Sequence, residues 1–276
     1  MNLPIKNCIW CNRVLPLEVQ FEQLFSFKPL TFANICKECW QQILPYKEAG
    51  DTCRACGRAV NKSDVSYEAM QGIEDNFQFG FVRVSQTGFE EIFCYDCVRW
   101  LEVYPRTLLE HKAVLQYNDF FREWLYRYKY QGDFRLRLVM RDFLQEFYRN
   151  YVDYQWLILP SSPNSMRERG FNATAALLEA ADIPCMCPFE YIGDGQKQAQ
   201  KDRLSRLQMR QPFALSDKNF EKISQKIIVF DDVYTTGRTL LHAKSLLREK
   251  DQQEAYKADN ISIIGVSLAR DQQLKD

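Results

Sequence analysis

Residues 226–250 read KIIVFDDVYTTGRTLLHAKSLLREK. Ile227, Ile228, Val229 and Phe230 form an unbroken apolar run, the pattern of a short strand covered on both faces. Asp231 and Asp232 follow at once. Next comes a hydroxyl-rich stretch around Gly237, and then leucines at helical spacing. Strand, turn and helix in that order are the building block of a parallel sheet with helices on its faces. In such sheets ligands bind beyond the carboxyl ends of the strands, and the two aspartates stand at such an end.

The flanking sequence extends the alternation. YNDFFREWLYRYKY (117–130) and RLRLVMRDFLQEFYRNY (135–151) have helical apolar spacing on either side of a break at Gly132. WLILP (156–160), IPCMCPF (183–189) and ISIIGVSLA (261–269) read as strands, and NATAALLEAA (172–181) as a helix. The expected fold class is α/β, a parallel sheet flanked by helices. The region before residue 105 is different: it is rich in turns and holds eight of the ten cysteines. The expected division is a Cys-rich zinc-binding module over 1–105 and an α/β domain over 106–276.

Composition narrows the class. With 276 residues, 46% of them hydrophobic and 26% charged, the chain can bury a core, which excludes wholesale disorder. Lys plus Arg equals Asp plus Glu at 36 each, so net charge points to no polyanionic partner, and any nucleic-acid contact must come from a local patch. The opening MNLPIKNCIWC lacks a basic stretch followed by an apolar one, and no apolar run approaches the roughly 18 residues of a membrane span. A soluble, cytoplasmic protein without membrane insertion is expected.

The cysteines have ligand spacing. Cys8/Cys11, Cys36/Cys39, Cys53/Cys56 and Cys94/Cys97 are four CxxC pairs. Two sulfurs three residues apart turn toward one ion in a tight knuckle, and two such pairs complete a tetrahedral thiolate site for zinc. Eight ligands make two closed sites, so the expected metal is structural and supplies folding energy to a core-poor segment. Redox-active motifs are the competing reading, which four pairs in a cytosolic chain disfavour. Pairing in chain order needs no crossing and is the arrangement expected here. A ribbon would instead join Cys36/Cys39 to Cys53/Cys56 and leave the outer pairs together, and a cross-braced arrangement is the third alternative. Cys185 and Cys187 alternate on an expected strand and read as core packing residues.

Vicinal carboxylates such as Asp231 and Asp232 can accept hydrogen bonds from two neighbouring sugar hydroxyls or hold Mg²⁺. Thr235, Thr236, Gly237, Arg238 and Thr239 lead into a helix, whose first N–H groups together with the threonine hydroxyls suit a phosphate. Diol ligands beside a phosphate cradle describe a site for a ribose 5-phosphate. An apolar strand ending in two aspartates also fits an NTPase, but no G-x-x-x-x-G-K-[ST] loop exists in the chain.

DDVYTTGRT closely resembles the PRPP-binding motif of type I phosphoribosyltransferases. The order of four CxxC pairs, FFREWLYRYKYQGDFRLR, ILPSSPNSMRERGFN and DDVYTTGRT resembles the ComF family of competence proteins (ComFC or GntX type) over essentially the whole chain. The resemblance implies a type I phosphoribosyltransferase-like sheet of about five strands with a smaller hood, following a zinc module. It implies PRPP or a related ribose phosphate with Mg²⁺ in the pocket. It implies a role in DNA uptake during natural transformation, on incoming single-stranded DNA, with the ComF-operon helicase and recombination proteins. Those partners would bring the chain to the inner face of the membrane.

Three further stretches acquire roles on this reading. Ser161 and Ser162 end the strand WLIL and can donate to an anion, while Arg167 and Arg169 can grip one bidentately; in the resembled enzymes this loop contacts the diphosphate. KQAQKDRLSRLQMR (197–210) sets Lys197, Lys201, Arg203, Arg206 and Arg210 against Asp202 and resembles the mobile loop that closes over PRPP. Residues 117–141 interleave aromatics with Arg122, Arg127, Lys129, Arg135, Arg137 and Arg141, the ingredients of a single-strand binding surface. His111 and His242, the only histidines, complete no Ser-His-Asp set. Thr235 stands where purine-salvage members of the resembled enzymes carry an aspartate base, so the motif speaks for binding more than for turnover. Two other readings stand beside DNA uptake: an active salvage phosphoribosyltransferase, and a zinc-stabilised scaffold with a vestigial pocket.

Overall fold

The computed structural model describes residues 6–15, 33–47, 52–60, 81–84, 90–94, 96–98, 100, 104, 108–193, 212–216, 223–253 and 261–271. Its elements in chain order are β1 (Lys6–Asn7), β2 (Val14–Leu15), α1 (Lys37–Trp40), β3 (Phe81–Val84), β4 (Glu90–Phe93) and β5 (Glu110–Gln116). Then follow α2 (Asp119–Lys129), a 3-10 turn (Phe134–Val139), α3 (Arg141–Tyr148), β6 (Gln155–Ile158), α4 (Pro163–Arg169), α5 (Ala173–Ala180) and β7 (Cys185–Met186). The rest are β8 (Phe189–Tyr191), β9 (Phe213–Leu215), β10 (Lys226–Tyr234), α6 (Arg238–Gln253) and β11 (Ser262–Arg270). No helix among the described residues is long and apolar enough to cross a membrane.

The main sheet has five strands in the order β5-β11-β10-β6-β7, all parallel. Alternate residues of its strands feed two separate cores. Trp156, Ile158, Ile228, Phe230, Ile264 and Val266 face one side, where α2, α3, α5 and the 3-10 turn pack. Leu157, Ile227, Val229 and Ile263 face the other, where α6 packs through Leu240, Leu241, Ala243 and Leu247. Burial on both faces is why the strands read as unbroken apolar runs.

The helices begin where capping residues dictate. Asn118 opens α2 by accepting from the N–H of Phe121 (2.9 Å), and Asn172 opens α5 by accepting from Ala175 (3.0 Å). Phe120, Phe121, Trp124 and Tyr128 form the buried stripe of α2. Gly132, at φ +69°, turns the chain after it.

The expected helix over 135–151 is two pieces. The indole of Trp124 donates to the carbonyl of Leu136 (3.0 Å), and a 3-10 turn through that carbonyl precedes α3. The expected strand over 183–189 is likewise divided into β7 and β8. Cys185 lies exposed on the edge strand, not in the core. Strand β10 runs on to Tyr234, so Asp231 and Asp232 belong to the strand itself. The sequence reading missed β5, whose EHKAVLQ carries a glutamate, a histidine and a lysine.

The Cys-rich segment is packed against both faces of the sheet. Cys8, Cys36 and Cys39 join the core of α2 and α3, whereas Cys53, Cys56, Phe93, Cys94, Cys97 and Trp100 join the core of α6. Between them the chain lies along the edge of β5, where Tyr46 donates to Val114 (2.9 Å), Gln116 to Leu44 (2.8 Å) and His111 to Ala55 (2.8 Å). An edge strand that would expose its ladder to other chains is thereby covered.

Trp124 is fully buried against Phe121 and Tyr128. Trp124→Ala should cost about 3–5 kcal/mol in urea unfolding, and Tyr126→Ala, on the exposed face of the same helix, less than about 0.5 kcal/mol. Equal losses would contradict the assigned faces of α2.

Candidate functional site

Order within the sheet places the site. From β6 the chain moves outward to β7, and from β10 it moves the other way to β11. Neighbouring strands whose connections diverge leave a crevice at their carboxyl ends. Pairing between β10 and β6 ends at Phe230 with Ile158, so Asp231 and Asp232 extend past the last residue of β6 on that side.

Asp232 is buried and ion-paired with Lys129, the last residue of α2. Its carboxylate also accepts from the N–H of Val233 (2.8 Å), and Asp231 accepts from the N–H of Asp232 (2.9 Å). Burial raises the Asp231 carboxyl, the charge of Asp232 raises it further, and Lys129 only partly offsets them, leaving it at about 7. Burial alone would lower the Lys129 ammonium, but Asp232 and then Asp231 outweigh it and hold it above its ordinary value. Lys129 is the residue that reading the sequence missed at this site. It appeared only among the cations of 117–141, and no local pattern links it to Asp232.

The loop after β10 is built around one glycine. Gly237 has φ +74°, and a Cβ there would meet the Tyr234 phenol, with Cζ at 2.6 Å. Thr236 and Gly237 are buried, Thr235 is exposed, and Arg238 and Thr239 open α6 half-buried. Leu241 donates to the Gly237 carbonyl (2.9 Å), so the N–H groups of the first turn point out of the helix end.

Across the crevice, Ser161 and Ser162 follow β6. Ser162 caps α4, accepting from Ser165 N–H (3.1 Å), so its hydroxyl is already engaged. Arg167 is exposed and donates to Asn164. The Nε–H of Arg169 is buried and has no hydrogen-bond partner among the described residues. RGFN explains the local geometry. Arg169 ends α4, Gly170 closes it at φ +79°, Phe171 packs on Tyr128 and Phe134, and Asn172 ties back to the Leu159 carbonyl (3.1 Å). Lys197, Lys201, Arg203, Arg206 and Arg210 lie outside the described residues.

The six cations of 117–141 are all partnered by carboxylates: Arg122 by Asp119, Arg127 and Arg135 by Asp133, Lys129 by Asp232, Arg137 by Glu179 and Arg141 by Asp142. Tyr126, Tyr130 and Phe134 remain exposed, while the other aromatics of α2 are core. His242 lies against the Phe213 carbonyl (3.2 Å) and ring, a packing position.

The eight cysteines gather in chain order: Cys8, Cys11, Cys36 and Cys39 in one group, and Cys53, Cys56, Cys94 and Cys97 in the other, with all sulfurs of a group within 4.8 Å of one another. Both groups fit a zinc ion. Peptide N–H groups point at ligand sulfurs, Cys36 N to Cys8 (3.3 Å) and Cys94 N to Cys53 (3.2 Å). Burial opposes ionising Cys8, but the N–H groups of Cys11, Cys36 and Trp10 prevail and bring its thiol down to about 7, whereas burial and the neighbouring sulfurs push the Cys39 thiol up.

No family model matches the chain. It is 37% identical over 161 residues to the competence protein ComFC of Streptococcus pneumoniae, covering 56% of this chain and 69% of that protein. The chain belongs to the ComFC family of competence proteins. A second ComFC, from Bacillus subtilis, is 29% identical over 248 residues, covering 88% of this chain and 89% of its own length. A match of that span takes in residues of both the cysteine-rich segment and the α/β sheet.

The adjacent acids have a measurable cost. An unfolded aspartate loses its proton near 3.8 and folded Asp231 near 7, so its contribution to stability is intact below about pH 4, falls as pH rises toward 7, and stays lowered above that. Asp231→Asn should therefore raise the melting temperature by an amount that grows from about pH 4 to 7 and is level above. A gain equal at pH 5 and 8, or a loss at pH 8, would contradict the assignment.

Proposed function

We propose that this ComFC protein serves DNA uptake in natural transformation, and that its crevice binds PRPP or a related ribose 5-phosphate together with Mg²⁺. The observation that carries the reading is the Asp231–Asp232 pair, Asp232 buried and ion-paired with Lys129 and Asp231 half-buried beside it, set directly before the Gly237 loop and the start of α6. Two carboxylates at a strand end suit a ribose diol, and the helix-end N–H groups with Thr236 and Thr239 suit its 5′-phosphate. On the β6 side, Ser161 and the unclaimed Arg169 Nε–H are donors for a diphosphate. Oxygen ligands are what Mg²⁺ takes, and Asp231 and Asp232 are the residues that would hold it; bound there, it would neutralise diphosphate charge.

Thr235 presents a hydroxyl, not a carboxylate, at the loop, so the reading is one of binding. Both relatives are competence proteins by name, which supports the uptake role, and the partners we propose for it are single-stranded DNA and the helicase and recombination proteins of the ComF operon. Because the cations of 117–141 already face carboxylates, DNA phosphates would have to compete for them; Arg137 lies 4.0 Å over the Phe134 ring, so the exposed rings of Tyr126 and Tyr130 are the stacking surfaces this stretch offers.

Calorimetric titration with PRPP and Mg²⁺ should show binding to the wild type, weakened at least about 100-fold in Asp231→Asn/Asp232→Asn, as expected for the loss of charged hydrogen bonds. Absence of binding to the wild type would overturn the ligand assignment. In the cell, a deletion strain should still take DNA to its surface yet yield few transformants, restored by the wild-type gene and not by the double variant. Normal transformation without the gene would overturn the role in uptake.

A further inference from the structure

Two connections run from the second cysteine group to the loop after β10. The first passes through Trp100. Cys94 and Cys97 start the helical turn that carries it, with Cys97 and Val98 both donating to the Cys94 carbonyl (3.0 and 3.1 Å). The Trp100 indole is buried at 2% exposure and donates to the main-chain carbonyl of Thr236 at 2.7 Å, across 136 residues of sequence. The Arg238 guanidinium lies 6.0 Å above the same ring.

The second connection passes through Arg270, the last residue of β11. Buried, it donates to the Cys56 carbonyl and to the Cys56 sulfur (3.1 Å), and its guanidinium stacks 4.6 Å from the Tyr234 ring. His111 packs on the other side of the network, one ring nitrogen 2.9 Å from Ser267 Oγ and the other 3.3 Å from the Cys56 carbonyl. Its ring is 4.1 Å from that of Tyr234. The Tyr234 phenol is the surface against which Gly237 rests. The first cysteine group reaches elsewhere: Trp10 and Trp40 pack on Phe120 of α2 and Phe143 of α3.

The consequence follows from peptide geometry. A trans peptide is planar, with its carbonyl and N–H pointing in opposite directions. Holding the Thr236 carbonyl on Trp100 therefore aims the Gly237 N–H away from the cysteine group. The Tyr234 ring beneath Gly237 fixes the height of the same peptide.

We infer that the second cysteine group, acting through Trp100, holds residues 235–239 in the form that receives an anion, which makes Trp100 a positioning residue of this loop. Metal at Cys53, Cys56, Cys94 and Cys97 is then required for anion binding at the crevice, and metal at the first group is not. The inference rests on reading 235–239 as a phosphate loop, but loop order can be measured without any ligand.

The test is hydrogen exchange by mass spectrometry on the full chain, comparing wild type, Trp100→Phe, Cys94→Ser and Cys11→Ser, with zinc content determined for each. Amides of 235–241 should exchange about tenfold faster in Trp100→Phe, the equivalent of one buried hydrogen bond, with zinc content and the exchange of α3 unchanged. Cys94→Ser should do the same or more, and Cys11→Ser should leave the loop as in the wild type. If Cys94→Ser does not fold, Trp100→Phe decides. In parallel, titration with inorganic diphosphate and Mg²⁺ should weaken about tenfold in Trp100→Phe. Loop exchange unchanged in Trp100→Phe, or equally raised by Cys11→Ser, would overturn the inference. A wild type that binds neither diphosphate nor PRPP would overturn the proposed function and leave the exchange result to stand by itself.

Discussion

Asp232 is buried beside a second carboxylate, and the ammonium of Lys129 is what makes this tolerable. Two adjacent acids at a strand end repel one another, and burial strengthens the repulsion by removing water. Much of the neighbouring structure keeps Lys129 in place. Tyr128, one residue earlier, donates to the Ala173 carbonyl (2.8 Å) and packs on Phe171, which fixes the end of α2 against the junction of α4 and α5. Asn172 then fastens that junction to the end of β6. The RGFN segment thus braces one side of the crevice while its arginine keeps an unclaimed donor.

The cysteine groups solve a packing problem as well as a folding one. The face of the sheet covered by α2, α3 and α5 is well supplied with helices, whereas α6 alone among the described helices covers the other. Cys53, Cys56, Cys94, Cys97, Phe93 and Trp100 complete that second face. A metal-bound knuckle is a compact way to present a rigid apolar surface from a short segment that has little core of its own. Because this surface abuts the start of α6, the loop after β10 rests partly on Trp100, 136 positions earlier in the chain.

Some of this was legible in the chain itself. The apolar runs before Asp231 and Ser161 identified two central strands, since strands buried on both faces leave an unbroken signal. The CxxC spacing identified the sulfur ligands, because a knuckle is a local structure. Strand β5 was not legible: as an edge strand flanked by the cysteine segment it tolerates Glu110 and Lys112. Chain order is the expected grouping of the cysteines because it needs no crossing, and the structure adopts it, but spacing alone sets which two sulfurs share a knuckle and not which knuckles meet.

The sequence by itself determined the α/β class, the carboxylates at a strand end, the glycine turn and the four sulfur pairs. All of these are short-range patterns set by periodicity, backbone conformation and ligand spacing. Only the tertiary structure decided that Lys129 neutralises Asp232, that the two cysteine groups lie on opposite faces of the sheet, and that Trp100 holds the Thr236 carbonyl. Those contacts join residues far apart in the chain, and such pairs are chosen by the packing of whole elements, which no local pattern encodes.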